Sequence, residues 1–391
     1  MAFWASETIL TSLAYRGRPG SAWHDLYVQS DDTETTDPKR APERGVTFVM
    51  PVLNEAAYLE KAVMSALDQE VDGPMELILA LGPSTDGTTE IARKIADRDA
   101  RVQLVDNPEA DIPKGLNLAI QASMYPTIVR VDAHSELAPG YTRRAVETLA
   151  RTNAANVGGI MHAEGRKPFQ RAVARAYNSP LGLGGGAYHS GGPEGEAESA
   201  YLGVMKREAI ERVGLFDESI RRGEDWELNL RLRQAGYRVW FDPQLSVTYW
   251  PRESWLRLAR QFFATGTWRA ELVRRFGRRN SIRFFAPPAL LVVIALAIVV
   301  GALQLTGVLS GVLSVIASLV YVPLALYALL IIGMALTTKG GGSTLADKLW
   351  TIAVVPTMHV SWGAGFLAGM VRGAGETVDT SRLDGRNTPL P

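Results

Sequence analysis

The sequence predicts an alternating α/β domain with a mostly parallel sheet, joined to a C-terminal group of transmembrane helices. Three observations predict it. Short apolar runs alternate with helically spaced segments of about ten residues between Val46 and Val131. Polar clusters sit where those runs end, at 51–56, 82–88, 106–115 and 132–134. From residue 284 to 371 the chain is mostly apolar, whereas residues 45–275 mix charged and apolar positions.

The elements follow in order. Val46–Met50 (VTFVM) is an apolar run that stops at Pro51, as a buried strand would. Leu59, Ala62, Val63, Ala66 and Leu67 give Tyr58–Gln69 the period of a helix. Strand Met75–Leu81, helix Thr88–Arg98, strand Val102–Val105, helix Lys114–Met124 and strand Thr127–Val131 complete the alternation. Further on, WELNLRLRQAG follows Glu224 and Asp225 as a helix closed by Gly236. Ligands on parallel sheets bind at the carboxyl ends of the strands, which is where the polar clusters lie.

Two uncharged stretches, Phe284 to Leu305 and Val308 to Leu336, exceed the roughly 20 apolar residues needed to cross hydrocarbon. Pro323 marks a kink in the second. A third, Leu349 to Val371, carries Pro356 and His359, and its Gly363, Gly365 and Gly369 would let helices approach closely. An interfacial or re-entrant helix is the alternative reading there. Nine arginines against two glutamates lie between Arg252 and Arg283, an excess that belongs on the cytosolic side of the cytoplasmic membrane. The same arginines could hold anionic lipid head groups. Lys339 and Lys348 fit a return to that side. The expected division is therefore an extension with a flexible linker at 1–44, a cytosolic domain at 45–275 and a multi-pass membrane domain at 276–391. The first twenty residues lack the basic lead and apolar core of a secretory signal.

Composition removes several function classes. Of 391 residues 41 are basic and 41 acidic, so net charge offers nucleic acid no attraction. There is no cysteine, which excludes a disulfide scaffold, a thiolate zinc site and a cysteine nucleophile. No GxGxxG follows the first strand, and the glycines at 182–192 do not lead into Gly-Lys-Ser/Thr, so neither a dinucleotide fingerprint nor a P-loop is present. That glycine segment reads as a mobile loop near the site or as plain surface.

Candidate chemistry gathers at the strand ends. Asp132 and His134 are two apart, so in extended chain they would face one ion, with Mn2+ or Mg2+ the cation suited to such donors. Otherwise Asp132 caps a turn and His134 is a surface residue. Asp225 opens a helix, either as its N-cap or as a base for a substrate hydroxyl, with Arg221 and Arg222 holding it ionised. Asp86 precedes another helix and could cap it, bind a ribose, or both. Lys114 stands at a third helix N-terminus, which favours phosphate. Asn54 and Glu55, after Pro51, would accept hydrogen bonds from a nucleoside. Trp268 could stack on a sugar or anchor the chain at the membrane boundary.

Taken together, VTFVMPVLNEA, PSTDGTTEIA, PKGLNLAI, RVDAHSEL, GLFDESIRRGEDWELNLRLRQAGYRVWFDP and LARQFFATGTWR resemble glycosyltransferase family 2 over roughly residues 46–270. Within that family the chain looks like the succinoglycan-biosynthesis type. The resemblance implies an inverting enzyme of GT-A fold. Asp132 and His134 would be its metal-binding pair, Asp225 its base, and Pro51, Asn54, Glu55, Asp86, Lys114 and Asp132 its donor pocket. Glu224, Gln261 and Trp268 would meet the acceptor. It also implies a nucleotide-diphosphate sugar as donor and a membrane-associated, polyprenyl-linked saccharide as acceptor. Three departures stand out: Leu81 and Gly82 replace acids common in the family, DAH lacks a second carboxylate, and QFFATGTW matches QxxRW loosely. A polyprenyl-phosphate glycosyltransferase, a processive synthase and a non-catalytic nucleotide-sugar-binding scaffold remain as alternatives.

Overall fold

The structure is a computed structural model that describes residues 44–184, 186–337, 344–375 and 377. The expected N-terminal extension and linker (save Arg44), Lys339 and the end of the tail lie outside those residues. The first half alternates as the periodicity requires: β1 Val46–Val52, α1 Leu59–Leu67, β2 Met75–Leu81, α2 Thr88–Arg98, β3 Val102–Asp106, α3 Ile112–Ala122 and β4 Thr127–Arg130. Next come β5 Ser135–Leu137, α4 Tyr141–Thr152, β6 Asn156–Ala163, α5 Pro168–Tyr177 and two single turns, α6 Pro180–Leu183 and α7 Ala187–Ser190. The domain closes with β7 Gly195–Glu196, β8 Val204–Lys206, α8 Arg207–Arg212, α9 Glu224–Gln234 and β9 Val239–Tyr249.

One sheet runs β3-β2-β1-β4-β8-β6-β9-β5, with β7 on β9. The first four strands are parallel, but β8 is antiparallel to both β4 and β6, and β5 and β7 are antiparallel to β9. The antiparallel half was not visible in the periodicity because β5, β7 and β8 have only two or three residues each. In β1 the side chains of Phe48, Met50 and Val52 pack under α1 while Val49 joins α3 and α9 on the other face. Both faces are therefore covered, which explains the unbroken apolar run.

Two boundaries moved for identifiable reasons. β1 continues through Pro51 because Val49 bonds toward β4, whose pairing ends there at Arg130. The missing N–H of Pro51 points to that vacated side, so no ladder bond is lost. α3 begins before Lys114 because Asp111 accepts the Lys114 N–H at 3.3 Å, and Pro113 suits the first turn.

Three helical segments after the sheet are long and apolar enough to cross a membrane, 282–305, 311–336 and 345–372. They follow α10 Trp255–Phe276 and comprise α11 Ala286–Leu305, α12 Gly311–Ala317 with α13 Tyr321–Leu336, and α14 Leu345–Arg372. The break between α12 and α13 falls just before Pro323, whose ring cannot share a turn with the carbonyl four residues back.

The third differs from the others: 44% of its most apolar stretch is buried within the protein, against 11% and 6%. It lies beside α10 and runs parallel to it. Trp255 Nε1 donates to Thr357 Oγ1 at 2.6 Å near one end, and the Ala374 N–H donates to Glu271 near the other. Between them a Cβ added to Gly365 or Gly369 would meet the carbonyls of Phe263 at 2.0 Å or Thr267 at 2.6 Å, so only glycine permits this approach. At its start Asp347 is fully buried, accepts a forked bond from Arg171 of α5 at 3.0 and 3.2 Å, and completes a capping box with Thr344. Replacing Asp347 by Ala removes the carboxylate shared by Arg171 and Arg175 and breaks the capping box with Thr344. It should destabilise the chain by about 3 kcal/mol or more, seen as a lower thermal unfolding midpoint in detergent.

Candidate functional site

Two loops at the carboxyl ends of β1 and β2 are clasped by backbone-to-side-chain bonds. Asn54 N–H donates to Ser84 Oγ (3.0 Å), Glu55 N–H to Thr88 Oγ1 (2.8 Å) and Ala56 N–H to Asp86 Oδ2 (3.1 Å). In return the Thr85 N–H donates to Asn54 Oδ1 at 2.8 Å. Asn54 takes a left-handed φ of 53°, which asparagine tolerates better than most residues. Gly82 fits beneath this clasp because a Cβ would stand 3.1 Å from Leu53 and 3.3 Å from the Val52 carbonyl. The absence of an acid there is thus tied to close packing. Gly87 holds the N-cap position of α2, while Asp86 accepts the Thr88 N–H at 3.1 Å in the first turn and also joins the two loops. Asn54 Oδ1 and the Glu55 N–H are likewise engaged within the loops, and the Glu55 carboxylate faces His134.

At the end of β4 sits a residue that the sequence reading overlooked. Arg130 is buried, and its guanidinium meets Asp225 through Nη1, Glu224 at 3.0 Å and Asp132 at 3.3 Å through Nη2. Its Nε has no partner. Burial alone would lower its pKa, but three carboxylates outweigh that and hold it above the ordinary arginine value. The signal was available: a lone arginine in TIVRV must be paired if the strand is buried.

Asp225 lies in the first turn of α9, after Gly223 in the left-handed N-cap position (φ 85°). Its side chain is 26% exposed, and that of Asp132 is 19% exposed. Burial pushes the Asp225 pKa up to about 8, opposed by Arg130 and assisted by the like charges of Glu224 and Asp132. Arg221 does not hold Asp225 ionised as expected, because it pairs with Asp111 at 3.1 Å.

His134 does not share a face with Asp132. The chain turns there, Ser135 N–H donating to the Asp132 carbonyl at 2.8 Å, so the two-residue rule for extended chain fails. The imidazole is buried, 5.2 Å edge-on from Tyr249, with Nδ1 3.5 Å from Glu55 Oε1. Tyr249 stacks on Tyr177 at 5.6 Å, and Gln261, also buried, bridges their hydroxyls at 3.4 Å each. Lys114 pairs with exposed Glu109 rather than standing free at the α3 N-terminus.

Trp268 overturns an expectation. Only 3% exposed, it packs with Ile220, Trp226 and Leu272 and donates its indole N–H to the Thr377 carbonyl at 2.8 Å. No face remains for a sugar. The glycine segment is not plain surface either, since Tyr188 stacks on Tyr201 and the Gly182 carbonyl meets His359 Nε2 at 3.1 Å.

Among the described residues no three His, Asp or Glu side chains are arranged to enclose a metal ion. Charge and donor type nonetheless fit a hard dication. Three carboxylates surround one guanidinium, a surplus of two negative charges if all ionise, and Asp132 keeps solvent access. A carboxylate beside imidazole, as Glu55 stands to His134, is also how metal-binding histidines are oriented.

Comparisons with known proteins agree on one family. The profile described as Glycosyl transferase family 2 matches residues 47–214. The chain is similar to the succinoglycan biosynthesis protein ExoA of Rhizobium meliloti (strain 1021), 33% identical over 82% of this chain and 93% of that protein. It is also similar to the dolichyl N-acetyl-alpha-D-glucosaminyl phosphate 3-beta-D-2,3-diacetamido-2,3-dideoxy-beta-D-glucuronosyltransferase of Methanococcus voltae. That relative is 22% identical, over 59% of this chain and 74% of its own. The solved structure titled mannosyltransferase PcManGT from Pyrobaculum calidifontis in complex with GDP-Man and Mn2+ aligns with a TM-score of 0.51. At 20% identity over 84% of this chain and 89% of its own, the likeness is one of fold.

Removing the central cation should be costly. Arg130→Ala leaves three clustered carboxylates unpaired and is expected to destabilise the fold by about 3–5 kcal/mol, with Arg130→Lys recovering part, as read from thermal unfolding midpoints.

Proposed function

Because this chain belongs to glycosyltransferase family 2, we propose that it transfers one sugar from a nucleotide-diphosphate sugar to a hydroxyl of a lipid-linked saccharide, inverting the anomeric centre. The observation that carries the reading is the shared guanidinium of Arg130. It draws Asp132, at the end of a parallel strand, and Asp225, at a helix N-terminus, to one point on the carboxyl edge of the sheet. The name and 93% coverage of the Rhizobium relative support exopolysaccharide synthesis as the setting.

A divalent cation held by Asp132, with His134 on the same turn, would neutralise charge growing on the departing diphosphate. The protein residues do the rest. Arg130 fixes the Asp225 carboxylate in direction, and Asp225 takes the proton from the acceptor hydroxyl. That oxygen forms a bond to the anomeric carbon as the bond to the diphosphate oxygen breaks, and the electron pair leaves with the diphosphate. Clasped loops at Asn54–Ala56 and Ser84–Thr88 give the donor pocket a rigid floor. With Trp268 buried, the tail motif does not offer its indole to a sliding polymer, and we favour single addition over a processive synthase.

The membrane arrangement we propose has two spans, 282–305 and 311–336, with the catalytic domain on the cytosolic side. Helix α14 then lies in the interface rather than across the bilayer. Its neighbour α10 carries Arg257, Arg260, Arg274, Arg275 and Glu271 along the shared length. Dragging α10 through hydrocarbon would cost about 2.5–3.5 kcal/mol for each central charge on insertion scales. The outward side chains of α14, Leu349, Ile352, Val360, Leu367 and Val371, form one apolar stripe suited to lipid.

With purified protein, a panel of nucleotide sugars and native lipid extract, Asp225→Asn is expected to leave donor binding intact and lower turnover by at least about 100-fold. Asp132→Ala should instead weaken Mn2+-dependent donor binding; unaffected turnover in Asp225→Asn would favour a phosphate acceptor, which needs no base. The kcat/KM of wild type should rise as pH passes through about 8, where Asp225 gives up its proton. Because the folded chain keeps that proton while the unfolded chain loses it near 3.8, stability should fall as pH rises from 3.8 toward about 8 and level off once Asp225 has ionised.

The chain has no cysteine, so single thiols report cleanly on sidedness. A cysteine at Arg372, exposed at the end of α14 and off that apolar stripe, should react with a membrane-impermeant maleimide only after the cytosolic face is opened. Labelling from outside intact cells would show that α14 spans.

A further inference from the structure

Two arginines at the junction of the catalytic domain and the first span have no role in the chemistry above. Arg269, on α10, sits over the Phe284 ring at 4.0 Å and over Trp226 at 5.3 Å. Arg283, in the turn that leads into α11, lies over the same Phe284 ring at 5.1 Å. Neither makes an ion pair among the described residues. Buried Nε and Nη1 of Arg269 and buried Nε of Arg283 have no hydrogen-bond partner. The acidic group that acts on Arg269, Glu198, is an exposed side chain that forms no bridge to it.

Such a pair is unfavourable by itself. Two like charges are gathered on one ring, several of their donors are withdrawn from water, and no carboxylate among the described residues forms a bridge to them. Burial lowers the Arg269 pKa to about 10, and Arg283 adds to the lowering. An anion with several oxygens relieves all three costs, because guanidinium forks match phosphate geometry. Position narrows the anion further. Trp226 follows Asp225 in α9, and Tyr188 feels both arginines and Asp225, so the pair stands between the carboxylates and the membrane. Arg283 is the second residue of the first span. The glycine segment makes room: a Cβ on Gly184 would already touch Arg283 at 3.5 Å.

We propose that Arg269 and Arg283 bind the phosphate or diphosphate of the lipid-linked acceptor, holding its first sugar toward Asp225 while its isoprenoid tail runs along α11. This assignment rests on the transferase reading for its ligand, but it can be tested without transfer. Full-length protein in phosphatidylcholine nanodiscs is titrated with a radiolabelled polyprenyl diphosphate, with inorganic pyrophosphate, and separately with nucleoside diphosphates and Mn2+.

Arg269→Gln and Arg283→Gln are each expected to weaken polyprenyl diphosphate binding about 10-fold or more and to leave nucleoside diphosphate binding unchanged. Arg269→Lys and Arg283→Lys keep the charge without the fork and should fall between, which preserves the test if a glutamine variant does not fold. Loss of nucleoside diphosphate binding instead would place the arginines on the donor. Unchanged lipid binding in folded variants would make them packing cations of Phe284. Inorganic pyrophosphate bound as tightly as the lipid would replace the lipid with a free anion. Wild type that retains the lipid diphosphate yet releases no nucleotide from any donor would sink the transferase reading alone.

Discussion

A single buried guanidinium organises the catalytic half of this molecule. Arg130 ends a parallel strand, and the groups it gathers come from the following turn and from a helix far along the chain. Were that cation absent, the N-terminus of α9 and the end of β4 would repel one another through Glu224, Asp225 and Asp132. The remaining imbalance is functional. One positive charge cannot neutralise three carboxylates, so one of them retains a proton near neutrality or a further cation joins them. Either state suits a site that handles a proton and a polyanionic leaving group in turn.

A second set of contacts ties that site to the lipid-facing helices. Arg171 and Arg175 of α5 grip the start of α14, the former through the Asp347 carboxylate and the latter through its carbonyl at 2.7 Å. His359 bridges the Tyr327 hydroxyl at 2.8 Å and the Gly182 carbonyl at 3.1 Å. Since the carbonyl can only accept, a neutral ring donates from Nε2 and accepts from the tyrosine at Nδ1. One imidazole thus joins α13, α14 and the glycine segment.

Much of the fold was legible because its first half is local. Periods of two and 3.6 residues name β1 to β4 and their helices directly, and polar clusters at strand ends name the edge that matters. What was not legible depends on long-range pairing. Arg130 looked like one residue of a strand until α9 came to rest against it. Asp132 and His134 were read in extended chain, but the turn sends the imidazole to Glu55 and Tyr249. Trp268 is amphipathic in sequence, and only the packing of Trp226 and Leu272 decides that it faces inward. Composition could likewise rate α14 as a span, since the glycine seam that binds it to a charged neighbour is invisible until α10 is placed.

That seam has a consequence for reach. Backbones in contact at Gly365 and Gly369 leave little slack between the domain and α14. With α14 in the lipid surface as proposed, Asp225 stands at a constant height, like a tool on a fixed gantry. Only a hydroxyl at that altitude is served. A saccharide of another length would carry its hydroxyl above or below that height, so the single addition proposed above would be confined to one stage of the glycan.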